Sequence, residues 1–462
     1  MSLFDDIEIK RDCYQVLVVP NITYQKDIDK DSFVKFFSDL VRELNKIRDD
    51  LIWHVPLTAY SRLLNIPNVV QYTNLRLPTY PNSMRGYFDH NAWLKIVDWK
   101  HKDFDFVFSQ LPEWTVNISN FLSNATHFGV LPIIGYCHWT ETKEFAKYAR
   151  TYLSYNLQGT LEMLECGLNT QTQIRNIINN EASQWFNSKT IKKLSSIMKP
   201  HYIGVNDEDI AKDICKEPNK TIVFNHRLNN YRNYPFFLEA VRDLRKLRQD
   251  FTVWCSLADK KDEEYFDIEG VSLKEPYLAK LNKSYLGILC GNRWAISAQD
   301  GMAQGLPYLY EESEENAELF GGLDSPLNMS GKFKTKDDLV SLMNHYLNDL
   351  DDRNMFATAT LNYSKDVMAW SNRIKSYNDM INKATTGLTP VTEKSEAIKK
   401  ILTFIDRHGK VSKNEIMKHI GWGVGITFSP YRQYLRNHPT IELEWDGQTE
   451  YYCYKDDDGI TS

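Results

Sequence analysis

The feature that most constrains this chain is a strand–helix alternation that runs through it twice. Tyr14–Val19 (YQVLVV) is short, β-branched and stopped by Pro20-Asn21, which predicts a strand. Phe33, Phe36, Phe37, Leu40, Val41 and Leu44 then recur at helical spacing. Further strands are predicted at 51–55 (LIWHV), 68–73 (NVVQYT), 104–110 (FDFVFSQ) and 129–139 (GVLPIIGYCHW). A second series starts at Lys220: strands within 221–228, 251–257, 285–292 and 306–310, and helices at 235–248, 297–305, 336–349 and 368–383. Short apolar strands separated by helices require a parallel sheet covered on both faces. The expected fold class is therefore α/β, with two doubly wound, Rossmann-like domains at 1–205 and 206–383. Ligands of such domains bind outside the carboxyl ends of the strands.

A chain of 462 residues has room for more than these two cores. ATTGLTPVT (384–392) is small, polar and Pro/Gly-bearing, and reads as a linker. Helices are predicted at 395–409, at 412–421 with Ser412 and Glu415 as a capping box, and from Ser429-Pro430 onward. A hairpin over 440–455 turns at Asp446-Gly447. Three helices and a two-stranded wing describe a winged-helix domain at 393–456, followed by an acidic tail at 457–462.

Charge and cysteine usage narrow the function classes. The net charge of −6 argues against a protein that binds polyanions over its whole surface, yet 393–455 carries +2 against −8 elsewhere. Seven cysteines, at 13, 137, 166, 215, 255, 290 and 453, are widely spaced and form no C-x-x-C. That pattern fits reduced thiols in a cytoplasm rather than a zinc site or a disulfide framework. The N-terminal MSLFDDIEIKRD is polar, and no apolar run has membrane-spanning length, so a cytoplasmic protein with no membrane partner is expected.

The chemistry concentrates in CGNRWAISAQDGMAQGLPYL (290–309). Here a strand is predicted to run through a loop into a helix N-terminus, whose free N–H groups and dipole attract a diphosphate. The segment resembles the donor-site signature of retaining GT-B glycosyltransferases: acid, small residue, aromatic, Gly, a second acid, then Ala-Met-Ala and Gly-x-Pro. Asn292 stands at the first acid, Trp294 at the aromatic, Ala295 at the Gly and Asp300 at the second acid, with Gly301-Met302-Ala303 and Gly305-Leu306-Pro307 completing the match. Asn292 is neutral where the signature is acidic. The resemblance implies a UDP-sugar site made by Trp294, Ala295, Ile296, Ser297 and Asp300, the last facing the ribose hydroxyls. FNHRLNNYRNYPFFLEAV (224–241) resembles the strand–loop–helix that opens the donor domain of that family. On that likeness Arg227 and Arg232 grip the phosphates. Two cations are what a departing nucleoside diphosphate requires, and no D-x-D motif ends a strand, so no obligatory metal is expected.

On the acceptor side, IIGYCHWTET (133–142) ends a strand with His138. The family often places a His there, so His138 joins Arg227 and Asn292 as a candidate catalytic residue. Asn21, after the first strand, and Arg85, in YPNSMRGYFD, are candidate acceptor contacts. In the C-terminal domain Lys413, Tyr431, Arg432, Gln433 and Arg436 are the expected DNA contacts. A sugar-transfer core joined to a nucleic-acid reader resembles the DNA-base glycosyltransferases of bacteriophages. The implied reaction moves glucose or arabinose from a UDP-sugar to hydroxymethylated pyrimidines of double-stranded DNA, each base being extruded from the duplex. A protein or polysaccharide acceptor stays open, as does a catalytically dead regulator that binds a sugar nucleotide.

Overall fold

The computed structural model describes residues 13–22, 27–73, 75, 88–96, 104–125, 131–137, 156–228, 232–258, 266, 273–291, 295–322, 325–385, 396–420, 429–447 and 449–455. The backbone packs into two compact units. One comprises Met1–Gly167, Trp185–Met198 and Asn378–Ser462; the other comprises Leu168–Gln184 and Lys199–Tyr377.

The first sheet is built from β1 (Tyr14–Val19), β2 (Leu51–Pro56), β3 (Val69–Tyr72), β4 (Phe106–Ser109), β5 (Ile133–Cys137), β6 (Glu165–Leu168) and β7 (Met198–Pro200), in the order β3-β2-β1-β4-β5-β6-β7. β1 pairs in parallel with β2 and with β4, and every residue of β1 is buried, as its unbroken apolar run requires. The predicted helix is Ser32–Leu44, and the Asp31 side chain caps it by accepting from the Phe33 N–H. Its Phe37 meets Trp53 of β2 edge to face, with ring centroids 5.3 Å apart.

The second sheet comprises β8 (Thr221–Val223), β9 (Thr252–Trp254), β10 (Leu286–Leu289), β11 (Tyr308–Glu311) and β12 (Lys332–Phe333), in the order β12-β11-β10-β8-β9. Its strands pair in parallel throughout. The order reverses between β8 and β10, so a crevice opens at their carboxyl ends. Phe224 stacks on Phe237 of the helix Tyr234–Leu247 at 4.5 Å, which anchors that helix to the sheet. Within the same unit the Glu318 carboxylate accepts from the backbone N–H groups of Gln171 and Thr172 at 2.6 and 2.8 Å, and so fixes the first turn of the helix Gln171–Asn176.

The C-terminal region forms a small antiparallel domain. Helices Glu396–His408, Lys413–His419 and Ser429–Asn437 accompany β13 (Val411–Ser412), β14 (Ile441–Trp445) and β15 (Glu450–Tyr454), in the order β13-β15-β14. The capping box is present: Ser412 Oγ accepts from the Glu415 N–H, and Glu415 accepts from the Ser412 N–H at 2.7 Å. Gly447 takes φ +96° at the hairpin turn, where a side chain would be strained. β13 adds a third strand that the expected two-stranded wing lacks.

One sequence expectation is corrected here. Arg432 does not face outward toward a groove: it is 3% exposed, and its Nε and Nη2 form a two-pronged pair with Glu450, at 2.8 and 2.7 Å. Arg436 lies one helical turn on, with Nη2 3.8 Å from the same carboxylate. The reason is helical spacing. Both arginines flank the stripe of Tyr434 and Leu435, which is buried in this domain's core, and Glu450 of β15 waits there. Tyr431 is half-buried against the same core, and Lys413 is half-buried. The Gln433 side chain lies outside what is described.

Candidate functional site: the crevice between β8 and β10

β8 runs out into Phe224, Asn225 and His226, all buried, and then Arg227, which is exposed. β10 runs out into Cys290 and Gly291, and the chain re-emerges at Ala295 to start the helix Ile296–Ala303. Ala295 is buried with extended backbone, and among the described residues no side chain caps the helix. Its first turn lies at the carboxyl edge where a doubly wound sheet takes ligands, and helix N–H groups at such an edge are a natural anion site.

A buried polar cluster locks the two segments together. The Asn225 side-chain amide donates to the Ser297 carbonyl at 2.7 Å and to the Tyr277 hydroxyl at 3.1 Å. Its oxygen accepts from the Tyr308 hydroxyl at 2.9 Å. The Tyr308 ring is sandwiched: a Cβ at Gly287 would meet the ring at 2.5 Å, and one at Gly301 would meet the hydroxyl at 2.4 Å. The two glycines let the helix, the ring and β10 close on one another. His226 Nδ1 lies 2.7 Å from Ser297 Oγ. Burial, with the charge of Arg232 adding to it, lowers the His226 pKa from 6.5 to about 3, so the ring is neutral at physiological pH. Burial and then the charge of Asp300 hold the Tyr277 hydroxyl firmly protonated.

Arg227 follows His226 at the end of β8, and Ala295, Ile296, Ser297 and Asp300 belong to the N-cap and body of the helix that follows β10. Ile296, Ser297 and Asp300 are half-buried on the helix, and Arg232 is half-buried and near enough to His226 to shift it. Asn292, Trp294, His138 and Arg85 lie outside the described residues. Asn21 is half-buried just beyond β1. Sequence reasoning missed Asn225, His226 and Tyr308. Only Asn225 and His226 carried a signal, being polar residues at the end of an apolar strand. Among the described residues no group of three or more His, Cys, Asp or Glu could hold a metal ion, and no helix is long and apolar enough to cross a membrane. All seven cysteines are free thiols.

Comparison with solved structures decides the architecture. HepE of Anabaena, in complex with UDP and glucose, is similar over 81% of this chain and 100% of its own, at 13% identity and TM-score 0.54. A trehalose-6-phosphate synthase is similar over 80% of this chain and 99% of its own, at 11% identity and TM-score 0.55.

The fold is GT-B.

The match to S. aureus TarM spans 59% of that protein's length, at 12% identity and TM-score 0.49. No protein-family model matches the sequence. No curated protein matches it either. Within the GT-B frame, the crevice between β8 and β10 belongs to the second Rossmann-like domain, and the two segments singled out by sequence, 224–241 and 290–309, both border it.

Proposed function

We propose that this chain is a glycosyltransferase that takes a UDP-sugar, glucose or arabinose, as donor and retains the anomeric configuration. The observation that carries the reading is the 2.7 Å contact of His226 with Ser297, which sets the strand end that continues into exposed Arg227 against the first turn of the helix Ile296–Ala303. In this reading the diphosphate sits against the N–H groups of that turn, and Arg227 and Arg232 neutralise the charge that grows on it as the sugar departs. Neutral His226 fixes the Ser297 hydroxyl beside the phosphates, and Asp300 accepts from the ribose hydroxyls. Trp294 and Asn292 complete the sugar end, with no obligatory metal. Support for UDP comes from HepE, which was solved with UDP and glucose; support for retention comes from the trehalose-6-phosphate synthase, studied for glycosyl transfer with retention.

The acceptor we propose is the hydroxymethyl group of a pyrimidine in phage double-stranded DNA, with catalysis in the host cytoplasm and His138, Asn21 and Arg85 on the acceptor side. What supports it is the sequence resemblance and the element order of the C-terminal domain, three helices and a hairpin, as in a winged helix. Arg432 takes no part in that surface. Two assays test the proposal. UDP-glucose and UDP-arabinose hydrolysis tests the donor half, and no release of UDP from either would remove it. Nucleoside mass analysis of hydroxymethylated DNA after incubation tests the acceptor half; unmodified DNA beside active hydrolysis would turn attention to protein or polysaccharide acceptors.

A further inference from the structure

The chain leaves β10 at Gly291, one residue before Asn292 in the sequence, and the Gly291 φ is +84°. Both backbone polar groups of this residue are tied down. Its N–H donates to Glu311 Oε2 at 2.7 Å, and its carbonyl accepts from Asn316 Nδ2 at 2.9 Å. Asn316 is fully buried and also donates to the Glu311 carbonyl at 2.7 Å, which closes the arrangement on itself. The parallel register that pairs Leu289 with Tyr310 sets Glu311 beside the end of β10. Glu311 reaches the other side of the crevice as well. Its Oε2 accepts from Asn233 Nδ2 at 3.1 Å, and Asn233 follows Arg232 in left-handed backbone, φ 49°.

Both of these bonds fall on Oε2. Oε1 has no hydrogen-bond partner among the described residues, and the Glu311 side chain is half-buried rather than sealed. Holding Gly291 and Asn233 requires only a neutral acceptor, which an amide oxygen would supply. A carboxylate adds a second acceptor and a charge, which suit it to sugar hydroxyls. One peptide further along the chain, the sequence has a neutral Asn292 where the signature it resembles has an acid.

We propose that Glu311 is the carboxylate of the donor-sugar site, with Oε1 accepting hydrogen bonds from hydroxyls of the bound sugar. The side chain enters from β11 and supplies the acid that Asn292 does not. This rests on the UDP-sugar reading above, and the experiment separates the two. Calorimetric titration of the full chain with UDP, UDP-glucose and UDP-arabinose identifies what the wild type binds. In Glu311→Gln the amide oxygen still accepts from Gly291 and Asn233, so the melting temperature and UDP affinity should match wild type. Affinity for the UDP-sugar should fall about 10- to 100-fold, the loss expected for hydrogen bonds to a charged group. Glu311→Ala, which also frees Gly291, should weaken UDP as well. A Glu311→Gln protein that binds UDP and UDP-sugar as wild type does would overturn the assignment. So would an equal loss for both ligands, which would make Glu311 a prop for the loop alone. A wild type that binds UDP no better than buffer would overturn the donor-site reading itself, and that outcome is visible before any variant is made.

Discussion

Arg227 and Arg432 show how differently two regions of one chain use the same side chain. Sequence suggests a ligand for each, a diphosphate for Arg227 and the major groove of DNA for Arg432. Arg227 stands exposed at the end of β8, and among the described residues no carboxylate pairs with it. Arg432 is sealed inside the C-terminal domain, its guanidinium forked onto Glu450, which also accepts from the Tyr452 hydroxyl at 2.6 Å. Burial alone would raise the Glu450 carboxyl; the bonds and charge of Arg432 outweigh it and hold it below the ordinary carboxylate range. A guanidinium in a loop is available for ligand, whereas one beside a buried carboxylate belongs to the core.

The largest effect should come from breaking the buried pair. Glu450→Ala removes the carboxylate that the buried Arg432 charge is forked onto, at about 3–5 kcal/mol. In so small a domain that should open the region 396–454 to proteolysis and hydrogen exchange, while UDP binding persists. Next is Arg227→Ala, with the opposite profile: kcat/KM for the donor should drop by about 2–4 kcal/mol of transition-state stabilisation, and the melting temperature should not move. An Arg227→Ala protein with unchanged donor kinetics would erase the contrast. The second Rossmann-like domain has its own buried polar network, and Tyr308→Phe probes it. Asn225 Oδ1 then loses its donor in a buried site, so that half should be destabilised by about 1–3 kcal/mol in a denaturant titration.

Near neutral pH the smallest effect is a pH dependence, which grows only as the pH falls. His226 has its pKa depressed from 6.5 to about 3. The unfolded chain therefore binds the extra proton first as pH falls, and the stability this group contributes is complete above about 6.5 and lost on the way down to about 3. Hydrogen exchange at the β8 and β10 amides should report a slope of up to ~1.4 kcal/mol per pH unit across that window, one proton's worth. His226→Gln should remove it; the same slope in the variant would assign it to other groups.

Much of this was legible without coordinates, wherever local pattern decides the outcome. The apolar run of β1, the helical spacing from Phe33 to Leu44, the Ser412/Glu415 cap and the Asp446-Gly447 turn each act within a few residues, and each element formed. The two motif segments likewise fall at the ends of two neighbouring strands, β8 and β10. β12 and β13, two residues each, have no period to read and exist only through their partners Tyr310 and Tyr452. The same holds for side-chain partners: sequence could not tell that Glu450 would claim Arg432, nor that Glu311 would reach back twenty residues to Gly291. Those pairings join residues far apart in the chain, and charge and burial acquire a value only once tertiary packing has set the distance and removed the water between them.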